Sequence, residues 1–146
     1  ENNLVGYGVY LNYKNNKEII YGSFEQQNNG RNVEGEVAGS LAAARYAFEN
    51  KLPITLYYDY EGIRNWATGA WRRNLSYTAA YHDEIQNLIS KGLDIEFVHV
   101  KAHTGIDGNE YVDKLAKFAC EVELSNVEKQ FLMTLSHIKG FPEKLK

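Results

Sequence analysis

Cysteine is nearly missing from this chain. Cys120 stands alone, so no internal disulfide can form and a disulfide-built secreted scaffold is excluded. Proline occurs twice and glycine 12 times in 146 residues, too sparse for a fibrous repeat or a Pro/Gly-rich disordered segment. No run of eighteen apolar residues occurs and no charged-then-apolar leader opens the chain. An excess of basic charge is also lacking. Sixteen Lys and Arg face nineteen Asp and Glu, a formal charge of -3, which argues against holding nucleic acid by bulk charge and leaves room only for local basic patches. From these absences we expect a soluble, intracellular protein of cytoplasmic location without a membrane partner. What is present is ordinary globular usage, 44% apolar and 24% charged. The length suits a single core covering roughly two thirds of the unfolded surface. The chain begins with Glu1 in place of Met, and from this we expect residues upstream of it.

Residues 5–13 and 18–24 are rich in β-branched and aromatic side chains, and the Lys14-Asn15-Asn16-Lys17 run between them has turn chemistry, so a β-hairpin is expected. Over 33–49, Val33, Val37, Leu41, Ala44 and Phe48 recur at helical spacing. Pro53 disfavours helical geometry at Leu52, and the apolar run 54–58 that follows predicts a buried strand ending at Asp59. One or two helical turns over 61–67, a loop over 68–74, a helix over 76–91 and a strand over 94–100 come next. Asp107 with Glu110 forms a D-x-x-E capping signal before a helix burying Val112, Leu115, Ala116 and Ala119. Ser125 with Glu128 repeats that signal before Val127, Phe131, Leu135 and Ile138, an amphipathic helix expected to run to Gly140 and Pro142. The order implies an α/β (α+β) fold, a mixed sheet flanked by helices.

In such folds functional groups gather at the carboxyl ends of strands. Asp59 stands at one, although an N-cap role for the next short helix accounts for it equally. Glu34 or Glu36 opens the helix at 33, where an acid also serves the helix dipole. Asp113 lies at the border of an apolar helix face, where acids are commonly just solvated. Three acids on three elements that a mixed sheet brings together are another matter. Such a cluster repels itself and persists where a divalent cation neutralises it; Mg²⁺, a hard ion that takes oxygen ligands, fits, and the chemistry it suits is phosphodiester hydrolysis.

The series H-T-G-I-D-G-N-E-Y-V-D-K-L-A over 103–116 resembles the C-terminal signature of type 1 ribonuclease H, a His loop followed by an N-E-x-x-D-x-L-A helix. The series Y-D-Y-E-G-I over 58–63 resembles that family's strand-end Asp, N-V-E-G-E over 32–36 its helix with a metal-binding Glu, and G-Y-G-V-Y-L over 6–11 its second strand. The resemblance covers about residues 5–121; the tail from 122 onward has no counterpart. It implies a ribonuclease H-like fold and an endonuclease that hydrolyses the RNA strand of RNA/DNA hybrids with two Mg²⁺ or Mn²⁺ ions per site, leaving 5′-phosphate and 3′-hydroxyl ends. Glu36, Asp59 and Asp113 would hold the metals, with Glu36 preferred to Glu34 because it lies four residues after Asn32. Asn32 would touch the nucleic acid backbone. His103 would assist proton transfer or product departure. Trp71, Arg72 and Arg73 fall where some members grip the DNA strand, by stacking and phosphate contact.

The family's first strand, with its own Asp in a D-G-S type motif, has no counterpart: only Glu1, Asn2, Asn3 and Leu4 precede Val5. Two neighbouring strands are therefore expected to lack their central partner, which would come from residues cut from this chain, from a second chain, or in part from the C-terminal segment. We divide the chain into an N-terminally incomplete catalytic domain over 1–122 and a helical extension over 123–146, which would either pack on the domain or drive self-association. The missing Asp favours an alternative reading, a noncatalytic module that binds nucleic acid or a partner on a degenerate ribonuclease H fold. An integrase- or resolvase-type nuclease is disfavoured by the His-loop series.

Overall fold

The computed structural model describes residues 3–27, 30–100 and 109–146. The chain divides into two compact units, Glu1–Gly35 with Gly105–Lys146, and Glu36–Thr104.

In the first unit, strands β1 (Leu4–Tyr13) and β2 (Asn16–Glu25) pair antiparallel from Leu4↔Glu25 to Tyr13↔Asn16. Lys14 and Asn15 turn the chain with φ of 51° and 68°, the two left-handed residues that a tight hairpin matched to strand twist requires. Helix α4 (Asn109–Ala119) lies across the hairpin face that carries Gly6, Gly8 and Tyr10. A Cβ on Gly6 would overlap the Ala116 carbonyl oxygen, and one on Gly8 would lie 2.7 Å from Leu115 Cβ, so glycine is what lets the helix seat this closely. Beyond the glycines the same face is aromatic: Tyr10 meets Tyr111 and Tyr21 meets Phe118, each at 5.7 Å between ring centroids.

The C-terminal segment belongs to this unit. Helix α5 (Asn126–Met133) starts with the expected box, Ser125 Oγ accepting from the Glu128 N–H at 3.1 Å and Glu128 accepting from the Ser125 N–H at 2.9 Å. It is shorter than expected, and Val127 is 78% exposed rather than part of the buried stripe. The reason is tertiary. Beyond Met133 the chain winds through turns so that Lys139 can accept the Ile19 N–H at 2.8 Å, forming a parallel bridge on the outer edge of β2. Gly140, at φ 93°, passes against the Ile19 carbonyl where no side chain fits. Leu132, Leu135, Ile138 and Phe141 are thereby buried with Ile19, Leu115 and Leu124 in one apolar cluster. The segment covers what would otherwise be an open strand edge.

Helix α1 (Arg31–Glu49) starts in the first unit and continues into the second. Val37, Ala43, Ala44 and Ala47 form its buried stripe. The second unit then contains β3 (Ile54–Tyr58), α2 (Gly62–Thr68), α3 (Ser76–Ser90) and β4 (Ile95–His99), and β3 pairs with β4 in parallel. Ile63, Ala67, Tyr81, Ile85 and Leu88 are its buried apolar and aromatic residues on α2 and α3. The buried Tyr81 hydroxyl donates to the Ile63 carbonyl at 2.7 Å and bonds the Ser40 side chain, and burial pushes its pKa up. On the surface, Arg45 grips Glu84 with Nε and Nη2, the latter at 2.6 Å, and the guanidinium holds that carboxyl below its ordinary range.

Both strand senses expected of a mixed α/β fold are present, as two two-stranded ladders. Among the described residues no strand pairs with the second edge of β1 or of β3. No described helix is long and apolar enough to cross a membrane.

Candidate active site

The two glutamates that opened the helical reading separate cleanly. Glu34 is 2% exposed, and its Oε1 accepts the Gln27 N–H at 2.8 Å, tying the chain ahead of α1 to the helix. Glu36, two residues on and so about 200° round the helix, is bonded to the Asp59 side chain and accepts from the Tyr60 N–H. Burial first, then the hydrogen bond and the charge of Asp59, raise the Glu36 pKa from 4.5 to about 8. Two carboxyl groups held together in a half-buried setting therefore keep a proton near neutrality in the absence of a cation.

The strand geometry explains why Asp59 is there. Tyr58, the last residue of β3, closes the parallel ladder by accepting the Val100 N–H at 2.8 Å. Asp59 leaves the strand at its carboxyl end, and its own carbonyl accepts from His99 Nε2 at 2.9 Å. The Asp59–Tyr60 peptide is thus held through its oxygen by His99 and through its N–H by Glu36. His99 also packs against Tyr58, centroids 5.3 Å apart. Sequence reasoning missed His99, although its place at the carboxyl end of the second parallel strand was the available signal.

An aromatic chain starts immediately after Asp59. Tyr60 meets Trp66 at 5.7 Å and Trp71 at 6.2 Å, Trp66 meets Trp71 at 5.8 Å, and Trp66 meets Tyr77 at 6.4 Å, in tilted or edge-to-face arrangements. Trp71 is 38% exposed and its N–H bonds the Asn65 carbonyl at 3.0 Å. Arg73 is turned back onto its own loop, donating to the carbonyls of Trp71 at 3.0 Å and Gly69 at 3.3 Å, whereas Arg72 is exposed. Of the expected trio, Trp71 and Arg72 face solvent and Arg73 shapes the loop that presents them. The rest of the aromatic set, Tyr60, Trp66 and Tyr77, was not anticipated.

Asp113 stands on α4 in the other unit, exposed, with Lys117 Nζ 3.9 Å from its carboxylate. Lys117 also donates to Glu128 at 2.9 Å. Asn32 is exposed in the first turn of α1. His103, with the rest of 101–108 and the Asp107 cap, lies outside the described residues. Among the described residues no group of three or more His, Cys, Asp and Glu side chains is assembled to hold a metal ion. The Glu36–Asp59 pair alone nevertheless fits a hard divalent cation in its chemistry: two adjacent carboxyl oxygens sets whose mutual repulsion a cation would relieve, the kind of site where Mg²⁺ keeps waters and takes one or two carboxylates.

Comparison with known proteins places this chain in a family. The RNase H family profile matches residues 2–121. The ribonuclease H of Rippkaea orientalis is 30% identical over 125 residues, covering 76% of this chain and 72% of the relative. The ribonuclease HI of Xylella fastidiosa (strain Temecula1) is 32% identical over 133 residues, covering 84% and 85%. Among solved structures, RNase H1 from the halophilic archaeon Halobacterium salinarum superposes with a TM-score of 0.56 at 20% identity, over 82% of this chain and 98% of that one, a likeness of fold. The mixed α/β fold, the matched profile and the relatives agree, and the chain belongs to the ribonuclease H family, enzymes of the hydrolase and nuclease class.

Proposed function

We propose that this chain is an endonuclease that hydrolyses the RNA strand of RNA/DNA hybrids, with Glu36, Asp59 and Asp113 as metal-holding carboxylates for two Mg²⁺ or Mn²⁺ ions. The observation that carries the reading is the Glu36–Asp59 carboxyl pair at the carboxyl end of β3, with the Glu36 pKa raised to about 8. When bound, the cations supply charge neutralisation and Lewis acidity to the scissile phosphodiester. The chain's own groups do the rest. Glu36 releases its proton as the pair takes up positive charge. The Tyr60 N–H donates to the Glu36 carboxyl group beside Asp59. Trp71 and Arg72 offer a stacking surface and a phosphate contact to the uncut strand, with Tyr60 and Trp66 as their support, and Asn32 contacts the backbone near the acids. Selection of RNA rests on its 2′-hydroxyls read across the minor groove, with little base preference. His103 serves proton transfer or product departure. A cytoplasmic location and a catalytic domain over 1–122 with an extension over 123–146 complete the reading.

The test is a cleavage assay on a labelled hybrid. Asp59→Asn is expected to reduce Mg²⁺-dependent cleavage to background with the melting temperature preserved; full activity would refute the assignment.

The free strand edges are part of this proposal. In β1, Gly6, Gly8 and Tyr10 turn their peptide groups away from β2, and in β3, Thr55 and Tyr57 turn theirs away from β4. A further strand, from upstream residues or a second chain, would pair there. Light scattering checks the second source: a monomeric mass in an active preparation rules it out. The lack of a three-acid group among the described residues favours one other reading, a noncatalytic hybrid-binding module. Tight Mg²⁺-independent binding by fluorescence anisotropy, with no cleavage by the same preparation, would select it.

A further inference from the structure

We infer that His99 is a positioning residue for the acid pair: through its Nε2–H it locks the Asp59–Tyr60 peptide in the orientation that brings the Asp59 and Glu36 carboxyl groups together. The inference deepens the proposed metal site and rests on that reading for its metal readouts alone.

The geometry is local to one strand end. A carbonyl oxygen only accepts, so the 2.9 Å contact between His99 Nε2 and the Asp59 oxygen assigns the proton to Nε2. Residue 100 extends the same ladder through its backbone, donating to the Tyr58 carbonyl at 2.8 Å. Residues 54, 56 and 58 face the β4 backbone in this ladder, so the residue 59 carbonyl has no β4 backbone donor, and the His99 side chain supplies one. The peptide so held presents its N–H to Glu36. Rotating the Asp59–Tyr60 peptide would break both bonds together. The Tyr58 ring beside His99, tilted at 59°, limits where the imidazole can sit. His99 is exposed, and its replacement opens no buried cavity.

Two variants separate the N–H donor from the ring. His99→Phe keeps an aromatic ring against Tyr58 without the donor, and His99→Gln keeps a donor without the ring. In metal-free protein, His99→Phe should speed hydrogen exchange at the Tyr60 amide by about fivefold, the factor that one hydrogen bond of ~1 kcal/mol supplies. Mn²⁺ affinity measured by calorimetry should fall, and the half-saturating Mg²⁺ for hybrid cleavage should rise, by a similar factor, while the rate at saturating Mg²⁺ stays near that of the parent. His99→Gln should restore all three. Imidazole ¹⁵N NMR of the unaltered protein should show the Nε2–H tautomer. Unchanged Tyr60 exchange and Mn²⁺ affinity in His99→Phe, equal loss in both variants, or an Nδ1–H tautomer would overturn the inference. Retained activity in Asp59→Asn would instead overturn the proposed function, and the Tyr60 exchange arm would still stand or fall by itself.

Discussion

Two glutamates, one in each unit, are moved in opposite directions by their surroundings. Glu128, in the unit of the hairpin and α4, is lowered to about 2, first by the Ser125 N–H that it caps and then by Lys117. Glu36, in the unit of the parallel ladder, is raised to about 8 by burial and by a second acid. In the first unit Glu128 is held by a cap and by a lysine that it shares with Asp113. The second leaves an acid facing an acid, an arrangement that costs stability and is relieved by binding a cation. Glu128 is held by its cap and its lysine, whereas Glu36 and Asp59 make the candidate site.

The largest test of that contrast strikes the scaffold. Leu132→Ala removes a fully buried side chain from the cluster that docks the C-terminal segment, and a loss of about 2–5 kcal/mol is expected in denaturant unfolding. Next in size comes a gain of stability at the site. The folded state holds the Glu36 proton up to about 8 while the unfolded chain releases it near 4.5, so the folded form binds more protons in between. Stability of the metal-free protein should therefore fall as pH rises through that window and level off above it. Glu36→Gln should flatten this slope and raise the melting temperature at pH 8, where Mg²⁺ should stabilise the parent and not the variant. Glu128 carries the opposite sign, its contribution being present above 4.5 and lost as pH falls toward 2. A flat profile for the parent between pH 5 and 8 would remove the contrast.

Smaller effects sharpen it. Gly6→Ala forces a methyl against the Ala116 carbonyl, and a loss of about 1–3 kcal/mol is expected as α4 is pushed off the hairpin. The smallest is Ser125→Ala, costing ~1 kcal/mol for the lost cap, with Mg²⁺ dependence of cleavage unchanged. A shift in that dependence would show that the cap reaches Asp113 through the Lys117 that Asp113 shares with Glu128.

Much of the fold was legible because its signals are short-range. The hairpin turn, the strand β3 and the Ser125–Glu128 box each depend on neighbours in the chain, and each appears where expected, but β3 is not the buried strand expected: only Tyr58 is buried and Tyr57 is 58% exposed. The C-terminal helix was read too long because its end is set by a strand more than a hundred residues away in sequence, the Ile19–Lys139 bond. The candidate acids were legible as types and places, Asp59 at a strand end above all. The pairing of His99 with the Asp59 carbonyl and the aromatic chain through Tyr60 and Trp66 were not, since they join residues that no periodicity relates.

By itself the sequence determined the kind and order of the elements, a turn within Lys14-Asn15-Asn16-Lys17, and the set of acids that a nuclease could use. Tertiary structure alone shows what separates Glu34 from Glu36, a pair the sequence ranked only through the family resemblance. Both are acids in the first turns of one helix, and nothing local distinguishes them; the helical twist turns one toward the Gln27 backbone and the other toward Asp59, and only the second meets another carboxyl group.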